Sequence, residues 1–339
     1  MTTKTATIQD VARRARVSTA TVSRALSAPD SVSERKRVAV MEAIESTGYR
    51  VNRAARNLRT QRSNTILTLL PTLGNPFFSK VLKGIENILT PAGQSLIVAE
   101  TQQIQAAGDG LLSYLNDRRA DGVIVLDGAI PKQFLDDLEG TPHAAKVVFA
   151  CEWHERAETP SVRSANKAGA RMAMTHLHDF GHQRIAHVTG PAGNVLTDAR
   201  REAYLAFCEA HELQPILIEG SFSVEAGVAA AATVLNLPTR PSAVFCASDE
   251  IAFGLISALT KAGLTVPTDI SVLGFDDIEM SEHFLPPLSS VRQDRISLGA
   301  EAAQLLLNQI GRGTQSKERD RHVVVPVSLI ARDSSGPAP

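Results

Sequence analysis

Cysteine is scarce: Cys151, Cys208 and Cys246 are the only three in 339 residues, and they are scattered. That usage excludes a disulfide framework and fits buried thiols in a reducing cytoplasm. No uninterrupted apolar run reaches the roughly 18 residues that a membrane span needs. Lys4 leads into an amphipathic stretch instead of an apolar one, so no signal peptide is expected and the chain is expected to be cytoplasmic. Low-complexity tracts, a Gly-x-Gly-x-x-Gly turn, a phosphate loop and a nucleophile motif are all missing. Asp249-Glu250 and Asp276-Asp277 therefore lack the partners that acid–base catalysis needs, and an enzyme is not expected. His176, His178, His182 and His187 crowd together in sequence, but His176 and His178 do not share a helix face, so neither a metal nor a cofactor is expected. No leucine heptads follow Ile330, so a C-terminal coiled coil is not expected, and residues 334–339 read as a flexible tail.

What is present is length, apolar content and a lopsided charge. With 339 residues, 43% of them hydrophobic, the chain can fill two or three cores. Residues 1–62 hold 13 Lys and Arg against 5 Asp and Glu, a net of +8, while the other 277 hold 22 against 31, a net of −9. A basic head on an acidic body points to a head that meets a polyanion.

The head reads as three short helices over residues 1–48. Thr7-Ile8-Gln9-Asp10 opens the first as a capping box, with Ile8, Val11, Ala12 and Ala15 on one apolar face. Ser18 caps the second, on which Val22, Ala25 and Leu26 point inward and Thr19, Ala20, Ser23 and Arg24 outward. That outward face suits a DNA major groove, where Arg pairs with guanine and small side chains meet thymine methyls. Ser33 is expected to cap the third helix, with Val38, Met41 and Ile44 inward and Gly48 closing it. Residues 49–62 form a linker with five Arg. Asn52 to Arg59 can make two helical turns, too few to be stable alone, which fits a hinge helix that folds on DNA and wedges Leu58 into the minor groove.

From Ser63 onward, continuous apolar strands alternate with helices. This is the pattern of parallel sheets covered on both faces, and two such runs suggest two lobes with a cleft between them. The first lobe is expected to take residues 63–164 and 293–325, the second 165–292 and 326–333; the return of the last segment to the first lobe and its crossing to the second do not follow from the pattern alone. The fold expected is thus an all-α helix-turn-helix head on an α/β two-lobed body.

Ile8-Gln9-Asp10-Val11-Ala12, Ser18 to Leu26, Gly48 to Leu58, Asn75-Pro76-Phe77-Phe78, Asp121-Gly122, Gly181-His182, Thr189-Gly190-Pro191, Pro241 to Asp249 and Gly274-Phe275-Asp276 together resemble the lactose/galactose-repressor family of bacterial transcription regulators. The resemblance runs from about residue 6 to 333, and Ser18–Leu26 and Asn75–Phe78 lie nearest to its nucleoside-responsive branch. It implies a homodimer on a near-palindromic operator, with a periplasmic-binding-protein-like body that closes on a small effector. Position by position it implies that Thr19, Ala20 and Arg24 read bases. Thr7, Ser18, Thr21, Ser23, Ser33 and Asn52 would bond phosphates or line the groove, Tyr49 belongs to the same DNA-binding set, and Ala55 and Leu58 would enter the minor groove. A neighbouring DNA-bound activator is compatible with the family, although no residue here demonstrates one.

For the effector, the resemblance implies apolar walls from Phe77, Phe78, Trp153 and Phe222. Asp276, at the C-terminal end of a strand, would accept sugar hydroxyls, and Arg200 would bond the ligand or hold Asp276. Asn194, Ser248 and Gln293 are further candidates. The chain departs from the family at Ala165-Asn166, where many relatives carry Asp-Asn. Asn194 and Leu196 stand where a purine-responsive member has Arg and Thr. A nucleoside or pentose is therefore expected, with a hexose or sugar phosphate as the alternative.

Overall fold

The structure is a computed structural model and describes residues 6–49, 62–106, 110, 112–130, 132–138, 140–154, 159–312 and 321–339. It forms two compact units, 1–62 and 63–339.

The first unit contains α1 (Ile8–Ala15), α2 (Thr19–Ser27) and α3 (Glu34–Thr47). Thr7 and Asp10 close a capping box on α1, with the Thr7 amide donating to the Asp10 carboxylate at 3.0 Å. The Ser18 hydroxyl accepts the Thr21 amide at 3.1 Å and so caps α2. Val11, Ala12, Val22, Ala25, Val40 and Ala43 form the small core. Two expectations for α3 need correction. Ser33 sits at the N-cap position without a side-chain bond to the helix. Val38 and Met41 are about half exposed, at 49% and 53%, while Val40 and Ala43 are buried. Val38 lies about 200° around the helix from Val40, so the two cannot face one core together. The expected hinge residues Asn52, Ala55 and Leu58 lie outside the described residues.

The second unit is built on two six-stranded sheets. The elements of the first half are β1 (Thr65–Leu70), α4 (Phe77–Leu89), β2 (Ser95–Glu100), α5 (Thr101–Ala106), α6 (Ser113–Asn116), β3 (Gly122–Val125), α7 (Lys132–Leu138), β4 (Val147–Ala150) and β5 (Ser161–Ser164). Then come α8 (Asn166–Asp179), β6 (Ile185–Val188), α9 (Val195–Ala210), β7 (Ile216–Ile218), α10 (Val224–Asn236), β8 (Ala243–Cys246), α11 (Asp249–Lys261), β9 (Ser271–Asp276), α12 (Met280–His283) and β10 (Ser289–Gln293). The chain ends with α13 (Arg295–Arg312), β11 (His322–Val325) and β12 (Val327–Ile330).

One sheet has the order β11-β5-β4-β3-β1-β2 and the other β12-β10-β9-β8-β6-β7. Every pairing is parallel except β10 with β12. The chain crosses between the sheets three times, at Ala165, Asp294 and Pro326, as the strand assignments require. Parallel strands buried by helices on both faces carry unbroken apolar runs, as β3, β4 and β8 do. Each lobe also has one tightly crossed helix pair: α4 meets α13 at Gly84 and Gly299, and α10 meets α11 at Gly227 and Gly254.

The tail is another correction. Residues 334–336 are buried against the second lobe. The Ser334 hydroxyl donates to the Val272 carbonyl at 2.6 Å and accepts the Ser289 amide at 2.8 Å. The Gly336 amide donates to Ser271 Oγ at 3.0 Å, and His182 Nε2 lies 3.0 Å from the Gly336 carbonyl. Serine and glycine here are not a mark of disorder; their short polar groups complete the backbone pairing at the ends of β9 and β10.

Candidate functional site

On α2 the expected groove-reading residues Thr19, Ala20 and Arg24 are exposed, and Thr21 and Ser23 are half-buried beside them. Val22 and Ala25 hold the opposite face in the core. Ser18 and Thr21 share a hydroxyl contact of 2.9 Å, which fixes the first turn. Thr7 and Ser33 are exposed, while Tyr49 is half-buried against the small core.

In the body, a cavity between the lobes is lined by Phe77, Phe78, Arg200, Phe222, Asp276 and Gln293, six of the nine residues expected there. Its volume is about 40 Å³, room for about three waters and not for a nucleoside. A ligand of that size would therefore enter only as the lobes part. The other three expected residues stand apart from the lining. Trp153 packs under the Arg163 guanidinium, 4.4 Å from its ring centroid. Ser248 caps α11 by accepting the Ile251 amide at 3.3 Å. Asn194 caps α9 by accepting the Leu196 amide at 2.9 Å. With this cap α9 begins at Val195, which puts Arg200 in its second turn.

Arg200 is 1% exposed and organises the cavity. Its Nε and Nη2 donate to Asn166 Oδ1 at 3.0 and 2.9 Å, its Nη1 donates to the Ala247 carbonyl, and its face stacks 3.8 Å from the Phe275 ring centroid. It holds Asn166 and the β8 end directly, and not Asp276. Asp276 is held by Gln293 Nε2 at 2.6 Å. Burial pulls the Arg200 pKa down, while the charges of Asp276, Glu152 and Asp249 pull it back up.

Asn75, Cys151, Glu152 and Leu196 also line the cavity; sequence reasoning noted Leu196 only as a departure from a purine-responsive member and Asn75 only within a motif, and missed Cys151 and Glu152. Glu152 has the most chemistry. It is 7% exposed, accepts the Gly128 amide at 2.7 Å and is hydrogen-bonded by the Asn194 side chain from the other lobe. Burial raises its pKa against those two bonds. Asp276 and Asp277 both have positive φ, 117° and 51°, at the end of β9. Such strain persists only where the surroundings impose it. Asp249 is the restraint: its carboxylate accepts the Ile278 amide at 2.9 Å and the hydroxyls of Ser281 and Ser290 at 2.6 and 2.5 Å. The role of Asp249 is to hold the loop that presents Asp276.

These groups give the body a definite pH response. Burial raises Asp276 to about 6, against the pull of Arg200, Gln293 and Arg295. Burial, and then the charge of Asp276, raises Asp249. Glu250 is raised to about 7 by burial, Asp276 and Glu225. Burial lowers His187 to about 4 and also lowers His176 and His182. A carboxyl with a raised folded pKa stabilises the fold fully below its unfolded pKa, and that contribution is lost as pH rises through the folded value. A histidine with a lowered pKa does the reverse and withdraws its contribution as pH falls below about 6.5. Stability should therefore rise by ~1 kcal/mol or more from pH 8 to pH 6.5 and flatten below, where the histidines oppose the carboxyls. Urea midpoints across that range test this; a fall in stability between pH 8 and 6.5 would contradict it.

Comparison with known proteins finds matches for both parts of the chain. Residues 7–52 match bacterial regulatory proteins of the lacI family, and residues 174–335 match a periplasmic binding protein-like domain. The chain is 34% identical over 338 residues to the HTH-type transcriptional repressor CytR of Escherichia coli (strain K12), covering 98% of this chain and 97% of that protein. It is 32% identical over 339 residues to the HTH-type transcriptional repressor PurR of Edwardsiella ictaluri, covering 98% of each. The lac repressor dimer bound to operator and the anti-inducer ONPF superposes with a TM-score of 0.82 at 28% identity, over 98% of this chain and 100% of that one. A LacI family regulator from Enterococcus faecium with bound ribose gives 0.73 at 28% identity, over 81% and 100%. With a helical head that matches the lacI family, a two-lobed body and relatives spanning nearly its whole length, the chain belongs to the lacI family of DNA-binding transcriptional repressors.

Proposed function

We propose that the chain is a homodimeric cytoplasmic repressor whose operator affinity is set by a neutral, hydroxyl-rich effector in the inter-lobe cleft, a nucleoside or a pentose. One observation carries the choice of ligand: three buried carboxyl groups, Asp276 and Glu152 with Asp249 behind them, lie around the buried cation Arg200, and the second buried cation nearby, Arg295, acts on Asp276. Carboxylates are acceptors and favour a ligand that brings donors. A sugar phosphate would add charge to a site already rich in it, which argues against that alternative. The rings of Phe77, Phe78 and Phe222 supply a surface on which a base or sugar face stacks. The ribose-bound relative fits a pentose, and the similarity to CytR fits the nucleoside-responsive branch. Exposed Leu73, Val224, Val228, Met280 and Leu285 on the body, with the dimeric lac repressor, support a dimer.

The test is a thermal-shift panel of nucleosides, ribose, hexoses and sugar phosphates. A ligand at 100 times its Kd stabilises by about 2.7 kcal/mol, a shift that is easily read. A response to sugar phosphates alone would sink the charge argument. On the DNA side, Arg24→Ala is expected to relax base preference at one operator position, worth about 1–3 kcal/mol, and to leave random duplex binding unchanged. Equal losses on operator and random DNA would remove Arg24 from the reading set.

A further inference from the structure

The body begins at a clamp. The Asp121 carboxylate, just before β3, accepts three hydrogen bonds from the first two residues after the linker. The Ser63 amide and hydroxyl donate to Oδ1 at 2.7 and 2.9 Å, and the Asn64 amide donates to Oδ2 at 2.8 Å. The Asp121 amide in turn donates to the Thr65 carbonyl, and the Asn64 carbonyl accepts the Ser95 amide, both at 2.8 Å. Asn64 reaches this position through a left-handed backbone, φ 51°. The entry to β1 is thus fastened to the N-terminal ends of both its neighbours, β3 and β2. Hydrogen bonds to an ionised acceptor are about twice as strong as neutral ones.

The other ends of the same strands carry the cleft. Beyond β1 lie Asn75, Phe77 and Phe78, and beyond β3 lies Gly128, whose amide holds Glu152. Between the two ends β1 and β3 pair without interruption from Ile66↔Gly122 to Leu69↔Val125, and the Leu126 amide closes the ladder on the Leu69 carbonyl at 2.7 Å. A bonded strand pair in a closely packed sheet transmits displacement instead of absorbing it.

We infer that Asp121 is a positioning residue for the coupling between effector and DNA. It fixes the exit of the DNA linker to the end of the strand pair opposite the cleft, so a movement of the first lobe arrives at Ser63 and is not lost by fraying of residues 63 and 64. The inference rests on the cleft being the effector site.

The test compares full-length wild type, Asp121→Asn, Asp121→Ala and Ser63→Ala. Each is titrated onto a duplex that the wild type selects from a random pool, and onto random duplex, with and without saturating cytidine or ribose. Hydrogen exchange is followed at residues 63 and 64. For both Asp121 variants we expect at least tenfold faster exchange there, effector affinity within threefold of wild type, and an unchanged affinity for random duplex. The affinity for the selected duplex should fall about tenfold, and the factor by which the ligand changes it should fall towards one. Ser63→Ala, which keeps two of the three bonds, should show a smaller loss of the same kind. Unchanged exchange, or faster exchange with selected-duplex affinity and ligand response intact, would overturn the role of Asp121. If neither cytidine nor ribose moves the wild type, the effector reading fails on the wild type alone, and the selected-against-random comparison still decides the clamp.

Discussion

Replacing Arg200 with leucine is expected to destabilise the body by ~3–5 kcal/mol and to abolish effector binding at neutral pH. The side chain is 1% exposed and satisfies acceptors on two buried residues, Asn166 Oδ1 and the Ala247 carbonyl. Its positive charge is also what draws the carboxyls of Asp276 and Glu152 back towards ionisation. Leucine would fill part of the volume but strand those acceptors and leave the carboxyls to take up protons. A protonated Asp276 presents a donor where a sugar hydroxyl needs an acceptor. Arg200→Lys should recover only part of the loss, because one ammonium on a flexible stem cannot span Asn166 and Ala247 as the planar fork does. Urea unfolding at constant m-value measures the first effect and titration calorimetry the second. A loss under 1 kcal/mol with effector binding intact would mean that Arg200 does not organise the site.

The Arg200 site also shows what a sequence discloses. Apolar runs bounded by helices disclosed most strands, because burial on both faces leaves a compositional mark. Ser161–Ser164 and Ser289–Gln293 left none. They are buried, yet made of Ser, Arg, Val and Gln, and become strands by pairing with β4, β11, β9 and β12. The three crossings between lobes follow from those pairings and fall where the expected lobe bounds put them, although the apolar pattern alone does not give them. Asp276 was legible because its place at a strand end is a local fact. Asn166 and Glu152 were not, because each acquires its role from a distant partner: Arg200, 34 residues on from Asn166, and Gly128, 24 residues before Glu152. The cap made by Asn194 could not be told from a ligand contact, because the two draw on the same residue types. The tail misled because serine-rich composition does not reveal whether a sheet end awaits it.

Gly254→Ala is the second large expected effect, and its sign runs against helix propensity. Alanine is favoured over glycine in an isolated helix by roughly 1 kcal/mol. Here a Cβ on Gly254 would stand 1.9 Å from the Val224 carbonyl oxygen, and one on Gly227 would stand 2.0 Å from that of Ile251. The atoms in the way are backbone, so no rotamer change relieves them, and α10 and α11 must separate. Separation opens the contacts of Ala230, Ala231 and Val234 with Ile251, Leu255 and Leu259, all of which are buried. We expect a loss of ~2–4 kcal/mol, at the upper end of what overpacking costs. Gly263→Ala is the contrast. That residue has φ +88°, and a Cβ there would meet no atom within 4 Å, so only backbone strain of roughly 1 kcal/mol opposes the change. Gly84→Ala should behave like Gly254→Ala, since its Cβ would lie 2.1 Å from the Ile296 carbonyl. It carries a further consequence, because Ile296 follows Arg295 at the crossing into α13. Moving that helix shifts the segment that joins Gln293, the partner of Asp276, to the first lobe. Gly84→Ala should therefore weaken effector binding as well as stability. Urea midpoints for the three variants, with calorimetric titration of the effector for Gly84→Ala, would show whether one close helix crossing in each lobe sets both the stability of the body and the geometry of its cleft.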